Sequence, residues 1–253
     1  MSGTLVWISG ATAGVGAGLA HECPYPGARL VNLSRSEAAG MENVRLDLGD
    51  ESTWQTVAQH FDAELSAFDG DRVIFVHNAF HAGTPSFVGE GHGADHAVEH
   101  RSNFTASLVL GEAFVEAVAR HRPHITSGLV MLSSASARIP FEGRSSYCAA
   151  KAGIEQWVRV VRRERKARGT GPWVVAVRPG FVDTPGLRAD ARADARDYPI
   201  GPAVARALAS GDSLLTPEQA ARDIWAALPD GGPSESVLLF GSPPEGARRA
   251  TPM

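Results

Sequence analysis

Short runs of apolar residues alternate along the chain with longer stretches in which apolar positions recur at helical spacing. The runs have the length of buried strands and cover residues 5–9, 29–33, 73–77, 129–133, 174–178 and 237–240, with a weaker run at 44–47. Strands that are apolar on both faces and separated by helices are typical of a parallel sheet covered on both sides. The pattern therefore predicts a single α/β domain, spanning residues 1–253, with seven parallel strands.

The order of these strands follows from the handedness of their connections. Right-handed crossovers between parallel strands favour a doubly wound, Rossmann-type sheet, which we write as 3-2-1-4-5-6-7. In such sheets ligands bind beyond the carboxyl ends of the strands. We therefore expect the chemistry of this protein in the loops that follow strands.

Residues 185–215 break the alternation of strands and helices. The segment is rich in arginine, alanine and aspartate at 188–194 and in proline and glycine at 199–202. A long excursion between two strands of a compact domain is typical of a loop that covers a ligand. We interpret it as a substrate loop or lid.

The end of the chain carries a clear helix signal. Thr216, Pro217 and Glu218 supply an N-cap, a proline at the first helical position and an acid in the first turn, which predicts a helix through Leu228. The proline- and arginine-rich stretch from Ser242 is expected to form a loose tail.

Composition narrows the function classes. The chain has 253 residues, of which 43% are hydrophobic, and a formal net charge of −4, so we expect no nucleic-acid partner. Its two cysteines show no paired or ligand-like spacing, which indicates a reducing compartment. The first residues lack the pattern of a signal peptide and no apolar window reaches the length of a membrane span, so we expect neither. We expect a soluble cytoplasmic protein.

A glycine-rich loop follows the first strand directly and opens a helix. Gly10, Gly14 and Gly16 lie in the stretch Ser-Gly-Ala-Thr-Ala-Gly-Val-Gly. Glycines allow the backbone to turn tightly and approach a pyrophosphate, and a helix N-terminus offers unpaired N–H groups. The spacing differs from Gly-x-Gly-x-x-Gly, and a glycine-rich turn without a ligand is the alternative.

The end of the second strand distinguishes between dinucleotides. An acid at this place would bind a ribose 2′-hydroxyl, whereas Arg35 can pair with a 2′-phosphate, which favours NADP(H) over NAD(H). The alternative is a solvated surface arginine in a chain that has 22 Arg and 2 Lys. Asp47, at the end of the third strand, could bind the adenine amino group or cap the next helix.

Tyr147 and Lys151 are four residues apart, so on a helix both side chains point to the same side. Tyrosine titrates near pH 10, and a neighbouring ammonium together with an oxidised nicotinamide would favour the tyrosinate that acid–base catalysis near neutrality needs. Ser134, thirteen residues earlier at the end of a strand, could hydrogen bond the substrate oxygen.

With these motifs in order, the sequence resembles the short-chain dehydrogenase/reductase family over nearly its whole length. The matching residues are Gly10, Gly14 and Gly16, Asp47, Asn78-Ala79, Asn103, Ser134, Tyr147 and Lys151, and Pro179-Gly180 with Thr184. Within the family, the stretches around Tyr147 and after Pro179 look most like the sepiapterin reductase and benzil reductase branch, whose members reduce ketones and vicinal diketones.

The resemblance implies a role for each matching residue. Tyr147 would be the general acid/base, Lys151 would bind the nicotinamide ribose and lower the tyrosine pKa, Ser134 would orient the carbonyl, and Asn103 would hold a water in the proton relay. The backbone of Val182 would bind the carboxamide. The full set of expected cofactor contacts is Gly10, Thr12, Gly14, Val15, Gly16, Arg35, Asp47, Leu48, Asn78, Ala79, Tyr147, Lys151, Pro179, Gly180, Val182 and Thr184.

Two positions depart from the family pattern. Phe80 replaces the glycine that ends the Asn-Asn-Ala-Gly motif, so either the loop is displaced or the ring lines the substrate pocket. Ala13 replaces a basic residue found in many NADP-preferring members, which removes one phosphate contact. We expect the substrate pocket to be lined by Phe80, Ser136, Phe141 and Phe181.

The sequence thus predicts an NADP(H)-dependent carbonyl reductase or alcohol dehydrogenase that acts on a small ketone or diketone. NAD-linked alcohol oxidation and a non-catalytic nucleotide sensor, in which Phe80 blocks cofactor placement, are the alternatives. His92, His96 and His100 recur every four residues, but no further ligand motif accompanies them, so we expect no metal. A homodimer or homotetramer is typical of this fold.

Overall fold

A single sheet forms the centre of the molecule. The computed structural model describes residues 3–90, 93–211 and 213–241. Its seven strands are Thr4–Ser9 (β1), Arg29–Ser34 (β2), Glu42–Arg45 (β3), Arg72–His77 (β4), Thr126–Leu132 (β5), Trp173–Arg178 (β6) and Val237–Leu239 (β7). All pair in parallel, in the order β3-β2-β1-β4-β5-β6-β7. The predicted fold class and strand order are confirmed.

Helices cover both faces of the sheet. They are Gly14–His21 (α1), Glu51–Ala67 (α2), Gly93–His100 (α3), Ala106–His121 (α4), Ser145–Arg168 (α5), Pro185–Asp190 (α6), Gly201–Ser210 (α7) and Pro217–Ala226 (α8). A π-helical turn at Arg101–Thr105 joins α3 to α4, and a 3-10 turn at Ala135–Ala137 follows β5. Among the described residues, no helix has the length and apolar character that crossing a membrane requires.

The alternation of side chains along β1 divides the core into two layers. Leu5 and Trp7 pack on one face with residues from α2, α4 and α5, and Val6 and Ile8 pack on the other with α1 and α8. All four are fully buried, and burying such a side chain contributes roughly 1.5–3 kcal/mol. β1 is therefore a rigid central strand, and the loop after it starts from a fixed point.

The chain leaves β1 toward the neighbouring strand β2 and leaves β4 toward β5, so the two connections run to opposite edges of the sheet. β1 lies between β2 and β4, and Ser9 and His77, the last residues of β1 and β4, are paired in register. The carboxyl ends of these two strands therefore flank the point where the strand order reverses. This is where doubly wound sheets bind ligands.

The C-terminal helix begins as its sequence predicts. Thr216 caps α8 by accepting from the backbone N–H of Gln219, whose side chain in turn accepts from the backbone N–H of Thr216, and Pro217 occupies the first turn. Such a reciprocal cap satisfies two N–H groups that the helix cannot pair. The tail predicted from Ser242 lies outside the described residues.

The excursion at 185–215 contains helices α6 and α7. Tyr198 and Val204 of this segment form a small apolar cluster with Phe181, separate from the two layers of the main core. The segment thus packs against the loop that follows β6. Its movement as a lid stays a prediction.

Candidate active site

A cavity of about 350 Å³ lies at the carboxyl ends of β5, β6 and β7, and residues of α6 and α7 also line it. It gathers many of the residues that the sequence singles out. Those that line it are Val15, Asn78, Phe80, Ser134, Ser136, Phe141, Tyr147, Lys151, Pro179, Gly180, Phe181, Val182 and Thr184. The cavity therefore joins the expected nicotinamide contacts to the expected substrate contacts.

The other predicted residues lie outside this cavity. Gly10, Thr12, Gly14 and Gly16 form the loop between β1 and α1 and the start of that helix, and Ala79 follows β4. Arg35, Asp47 and Leu48 follow β2 and β3, and Asn103 is buried in the π-helical turn. All but Asn103 lie at or just beyond the carboxyl ends of strands or in the first turn of α1, which is the edge of the sheet at which the cavity also lies.

Helix α5 carries both members of the predicted catalytic pair. Lys151 is 4% exposed, and its Nζ donates a hydrogen bond of 2.7 Å to the backbone oxygen of Leu132, at the end of β5. The same Nζ lies 5.5 Å from the centroid of the Tyr147 ring. The two side chains share one helix face, as the four-residue spacing predicts.

Burial dominates the electrostatics of the pair. It lowers the pKa of Lys151 to about 8 and raises the pKa of Tyr147 to about 12, although the nearby Ser134 hydroxyl favours the phenolate. The sequence resemblance implies that Lys151 lowers the tyrosine pKa, whereas in this structure desolvation outweighs every favourable charge. Desolvation thus opposes loss of the Tyr147 proton.

Ser134 and Ser136 lie side by side after β5. The Ser134 hydroxyl oxygen accepts a 3.2 Å hydrogen bond from the backbone N–H of Ser136 and caps the 3-10 turn. Ser136 is 4% exposed, and its own Oγ has no hydrogen-bond partner among the described residues. A buried hydroxyl without a partner is costly unless a ligand satisfies it.

The glycine loop is packed too tightly for side chains. A Cβ on Gly16 would lie 2.1 Å from the carbonyl oxygen of Gly10, and one on Gly14 would lie 3.1 Å from Thr184 Cγ2. Gly10 and Gly14 also have φ values of 71° and 53°, which L residues rarely adopt. The backbone of this loop is thus free to approach a ligand closely.

The N-terminus of α1 is open to an anion. Its N-cap residue, Ala13, makes no side-chain hydrogen bond, and no acid occupies the first turn. The N–H groups there are unpaired and carry the positive end of the helix dipole, which is the environment a pyrophosphate requires. Together with the bare glycine loop, these donors fit a dinucleotide.

A buried asparagine that sequence reasoning missed holds this loop. Asn32, fully buried in β2, accepts a 3.2 Å hydrogen bond from the backbone N–H of Ala11 and donates a 2.8 Å bond to Asn43 Oδ1. The signal was available, because a polar residue stands between Val31 and Leu33 in an apolar strand. Such a residue is retained only where its hydrogen bonds are satisfied.

The predicted phosphate-binding residue lies just beyond Asn32. Arg35 follows the last residue of β2 and is exposed, and it makes no ion pair or hydrogen bond within the described part of the chain. Its guanidinium is therefore free to bind an anionic group at this edge.

The structure excludes one of the two predicted roles of Asp47, the capping of helix α2. Asp50, not Asp47, caps α2 by accepting from the backbone N–H of Ser52. Asp47 Oδ1 accepts a 3.0 Å hydrogen bond from the Gly49 N–H, and its backbone oxygen accepts from Trp54. Asp47 is thus held in a turn at the end of β3, and contact with an adenine stays a prediction.

A chain of hydrogen bonds crosses the sheet at the end of β4. Ser9 Oγ accepts from the backbone N–H groups of Asn78 and Ala79, so its proton goes to His77 Nδ1, 3.0 Å away. On the other side, Ser107 Oγ donates to the Asn103 carbonyl, so His77 Nε2 donates to Ser107 over 2.8 Å. With these donors and acceptors assigned, His77 is neutral and carries its proton on Nε2.

Asn103 uses its side chain to fix the loop after β4. Its Oδ1 accepts from the backbone N–H of His81 at 2.6 Å, and its Nδ2 donates to the His81 carbonyl at 2.8 Å. Both ends of the amide therefore bind one residue of the loop that carries Phe80. That Asn103 holds a water stays a prediction.

Glu155 ties the catalytic helix to β6, and no sequence motif indicated it. It is 1% exposed, accepts two hydrogen bonds from Arg178 at 2.6 and 2.8 Å, and accepts a third from Ser133 at 2.8 Å. Burial alone raises the pKa of Glu155, but these bonds outweigh it and hold the pKa below its usual value. Arg178 immediately precedes Pro179 and Gly180, so this pair positions the cavity wall.

Phe80 lines the cavity. Its side chain is 45% exposed, and its ring centroid is 5.9 Å from that of Tyr147. On the far side, a Cβ on Gly186 would lie 3.1 Å from Phe80 Cζ. Of the two outcomes that the sequence leaves open, the structure has the ring in the pocket wall, between the catalytic helix and α6.

The histidine stripe shows no ligand geometry in the described residues. His92 lies outside them, His100 is exposed, and His96 Nδ1 lies 3.0 Å from Ser146 Oγ. Elsewhere, Glu42, His60 and Glu64 lie close enough to share an ion, but Arg29 already bridges the two carboxylates.

Curated relatives fit this picture. The chain is 25% identical over 181 residues to a benzil reductase ((S)-benzoin forming) of Bacillus subtilis, an alignment that covers 70% of this chain and 74% of the relative. It is 30% identical over 203 residues to a sepiapterin reductase of Xenopus laevis, covering 73% and 75%.

Solved structures share the fold. A short-chain dehydrogenase from Streptomyces avermitilis matches with a TM-score of 0.72 at 22% identity and covers 95% of this chain and 89% of that one. Thermoplasma acidophilum aldohexose dehydrogenase matches with a TM-score of 0.73 at 16% identity, covering 94% and 92%. The short chain dehydrogenase family model matches residues 4–195. The chain belongs to the short-chain dehydrogenase/reductase family and is an NAD(P)-dependent oxidoreductase that acts on CH–OH or C=O groups.

Proposed function

We propose that this enzyme is an NADP(H)-dependent carbonyl reductase that takes a ketone or diketone, with Tyr147 as the proton donor. The observation that carries the proposal is the position of Ser134, Tyr147 and Lys151 on one cavity that also contains the segment from Pro179 to Thr184. A hydroxyl, a phenol and an ammonium around one point are the groups that carbonyl reduction requires.

Reduction of a carbonyl needs a proton donor, and Tyr147 can be that donor. Burial opposes loss of the phenolic proton, so Tyr147 would keep it until the more basic developing alkoxide accepts it. Ser134 is held by its bond to the Ser136 N–H, and its hydroxyl, which also interacts with Tyr147, would donate to the same substrate oxygen. The bound nicotinamide would supply the hydride.

Lys151 anchors this arrangement and would bind the ribose of the cofactor. Its Nζ uses one proton on the Leu132 carbonyl, which leaves two for other acceptors. Because burial lowers its pKa, an anionic or hydroxyl-bearing ligand that accepts from Nζ would favour the charged form.

The cofactor and substrate classes rest on separate observations. Arg35 is exposed and unpaired among the described residues, which supports a 2′-phosphate and thus NADP(H). The aromatic side chains in the cavity wall, together with relatives named for reduction of benzil and sepiapterin, support a ketone or diketone with a ring system.

We further propose a homodimer or homotetramer in the cytoplasm. Val109 on α4 and Val160 on α5 are 40% and 43% exposed and offer apolar contacts for a second copy, and Cys23 and Cys148 are both free thiols. Light scattering coupled to size-exclusion chromatography measures the assembly directly.

The proposal is tested by following oxidation of NADPH and of NADH with a panel of aryl ketones, vicinal diketones and aliphatic ketones. Turnover with at least one ketone, faster with NADPH, is expected. Tyr147→Phe removes only the phenolic oxygen and should lower kcat by about a hundredfold or more, with NADPH affinity nearly unchanged. Retained activity in Tyr147→Phe would rule out the mechanism.

A further inference from the structure

Arg144 joins three segments around the cavity. Arg144 directly precedes α5 and is 7% exposed. Its guanidinium donates to the backbone oxygen of Ala82 and to Oδ1 of Asp190, which is the last residue of α6. The same guanidinium lies 5.5 Å from the centroid of the Tyr198 ring. A buried cation held by a carboxylate, a carbonyl and an aromatic face is fixed in place, and so is its carboxylate partner.

Asp190 uses only half of its carboxylate in this pairing. Oδ1 accepts from Arg144, whereas Oδ2 makes no hydrogen bond among the described residues. The side chain is 23% exposed and belongs to the wall of the cavity that also contains Tyr147. A carboxylate oxygen at an apolar wall gains when a ligand donates to it, because its desolvation is otherwise uncompensated.

One cation serves two carboxylates around Asp190. Glu99, which is 6% exposed and has an Oε1 without a partner among the described residues, also faces Arg144. Of the other cations that line the cavity, Arg178 is paired with Glu155, and Lys151 lies against the Leu132 carbonyl and the Tyr147 ring. An electropositive or hydrogen-bond-donating group is therefore favoured near Asp190, and an anionic group is disfavoured.

Large apolar or aromatic side chains line the same cavity as Asp190 and Tyr147. They include Phe141, Leu187, Tyr198 and Ile200. A ligand that reaches both ends needs a carbonyl at Tyr147, an apolar or aromatic body, and a polar group at Asp190.

We propose that Asp190 is a specificity-determining residue whose Oδ2 accepts a hydrogen bond from an ammonium or hydroxyl group of the substrate. The enzyme then selects ketones whose apolar body carries such a donor. The inference rests on the proposed reductase function and names the substrate class for that site. Arg144 acts as a positioning residue, because its guanidinium holds the Asp190 carboxylate at the cavity wall.

A pair of ketones of equal size tests this subsite. Para-(aminomethyl)acetophenone carries an ammonium where para-ethylacetophenone carries a methyl group. Their binding to the enzyme with NADP⁺ is measured by calorimetry, and their kcat/KM values are measured with NADPH. We expect the wild type to favour the ammonium probe, because a charge-assisted hydrogen bond adds to affinity.

Asp190→Asn is the decisive variant. An amide can still accept from Arg144 through its oxygen, which turns its NH₂ group, a donor, toward the cavity. The ratio of the two kcat/KM values should fall by about tenfold or more, the loss expected for one charge-assisted bond. Asp194→Asn, which weakens an exposed Asp–Arg pair with Arg196 outside the cavity, should leave the ratio unchanged.

Each outcome bears on the inference. An unchanged ratio in Asp190→Asn overturns it, and so does a wild type that favours the ethyl probe by tenfold, a result that needs no variant. A general loss of activity with both probes and an unchanged ratio would show that Asp190 only holds α6. If the wild type binds the ammonium probe more tightly but reduces neither ketone, the subsite is supported and the reductase function is contradicted.

Discussion

The ring of Phe80 packs against the ring of Tyr147, with centroids 5.9 Å apart and planes inclined by 56°. Tilted aromatic pairs at such a separation contribute about 0.5–1.5 kcal/mol beyond the area they bury. The residue that stands in place of a family glycine therefore supports the Tyr147 phenol within the cavity wall.

Phe80→Ala should lower kcat/KM for an aryl ketone by about three- to tenfold, because the substrate loses an aromatic wall and Tyr147 loses a packing partner. NADPH affinity should stay within about twofold, as measured by fluorescence titration. Val88→Ala, a change at an exposed apolar residue outside the cavity, is the control. A large gain in NADPH affinity would instead show that Phe80 obstructs the cofactor.

Arg35→Ala should weaken NADPH binding by about ten- to a hundredfold and leave NADH binding nearly unchanged, since only the 2′-phosphate differs. Dissociation constants for both cofactors measure the effect. Arg168→Ala removes an exposed arginine at the C-terminal end of α5 and should change neither affinity. Equal losses for both cofactors would contradict the assignment of Arg35 to the phosphate.

His77 should make the fold sensitive to acid. Burial, together with the positive charge of Lys151, lowers the pKa of His77 to about 3, while the unfolded chain titrates near 6.5. Below pH 6.5 the unfolded state binds a proton that the folded state does not, so the free energy of unfolding falls as the pH falls.

The size of this effect is measured by denaturant unfolding of the wild type and of His77→Asn, which cannot titrate. Between neutrality and about pH 5 the wild type should lose roughly 2 kcal/mol more than the variant. If the free energies of unfolding of the two proteins changed with pH in parallel, His77 would take up a proton in the folded protein as readily as in the unfolded chain.

Glu155→Gln should destabilise the protein by about 2–3 kcal/mol, because it leaves Arg178 partly buried without a counter-charge. Since Arg178 precedes Pro179, kcat should fall as well. Glu164→Gln, an exposed change on the same helix, should stay within about 0.5 kcal/mol of the wild type. Urea unfolding measures the stability of both variants. Equal stability of the two would show that the Glu155–Arg178 pair does not stabilise the fold.

The sequence by itself determined the features that are written in local patterns. Apolar runs gave the strands and their parallel arrangement, the Thr216 cap gave the start of α8, and the spacing of Tyr147 and Lys151 gave their common helix face. Each follows from the geometry of a strand or helix within a few residues, and thus needs no knowledge of the rest of the chain. The weak edge strand β3 begins two residues earlier than predicted, since an exposed strand carries little apolar signal.

Only the tertiary structure decided which distant side chains meet and how much water they lose. Arg144 and Asp190 are 46 residues apart, and Ser9 and His77 are 68 apart, yet each pair is in hydrogen-bond contact. Such pairings depend on how elements pack and have no periodicity in the sequence. The pKa of Tyr147 is set in the same way, because desolvation by the folded chain, and not the neighbouring Lys151, has the largest effect on it.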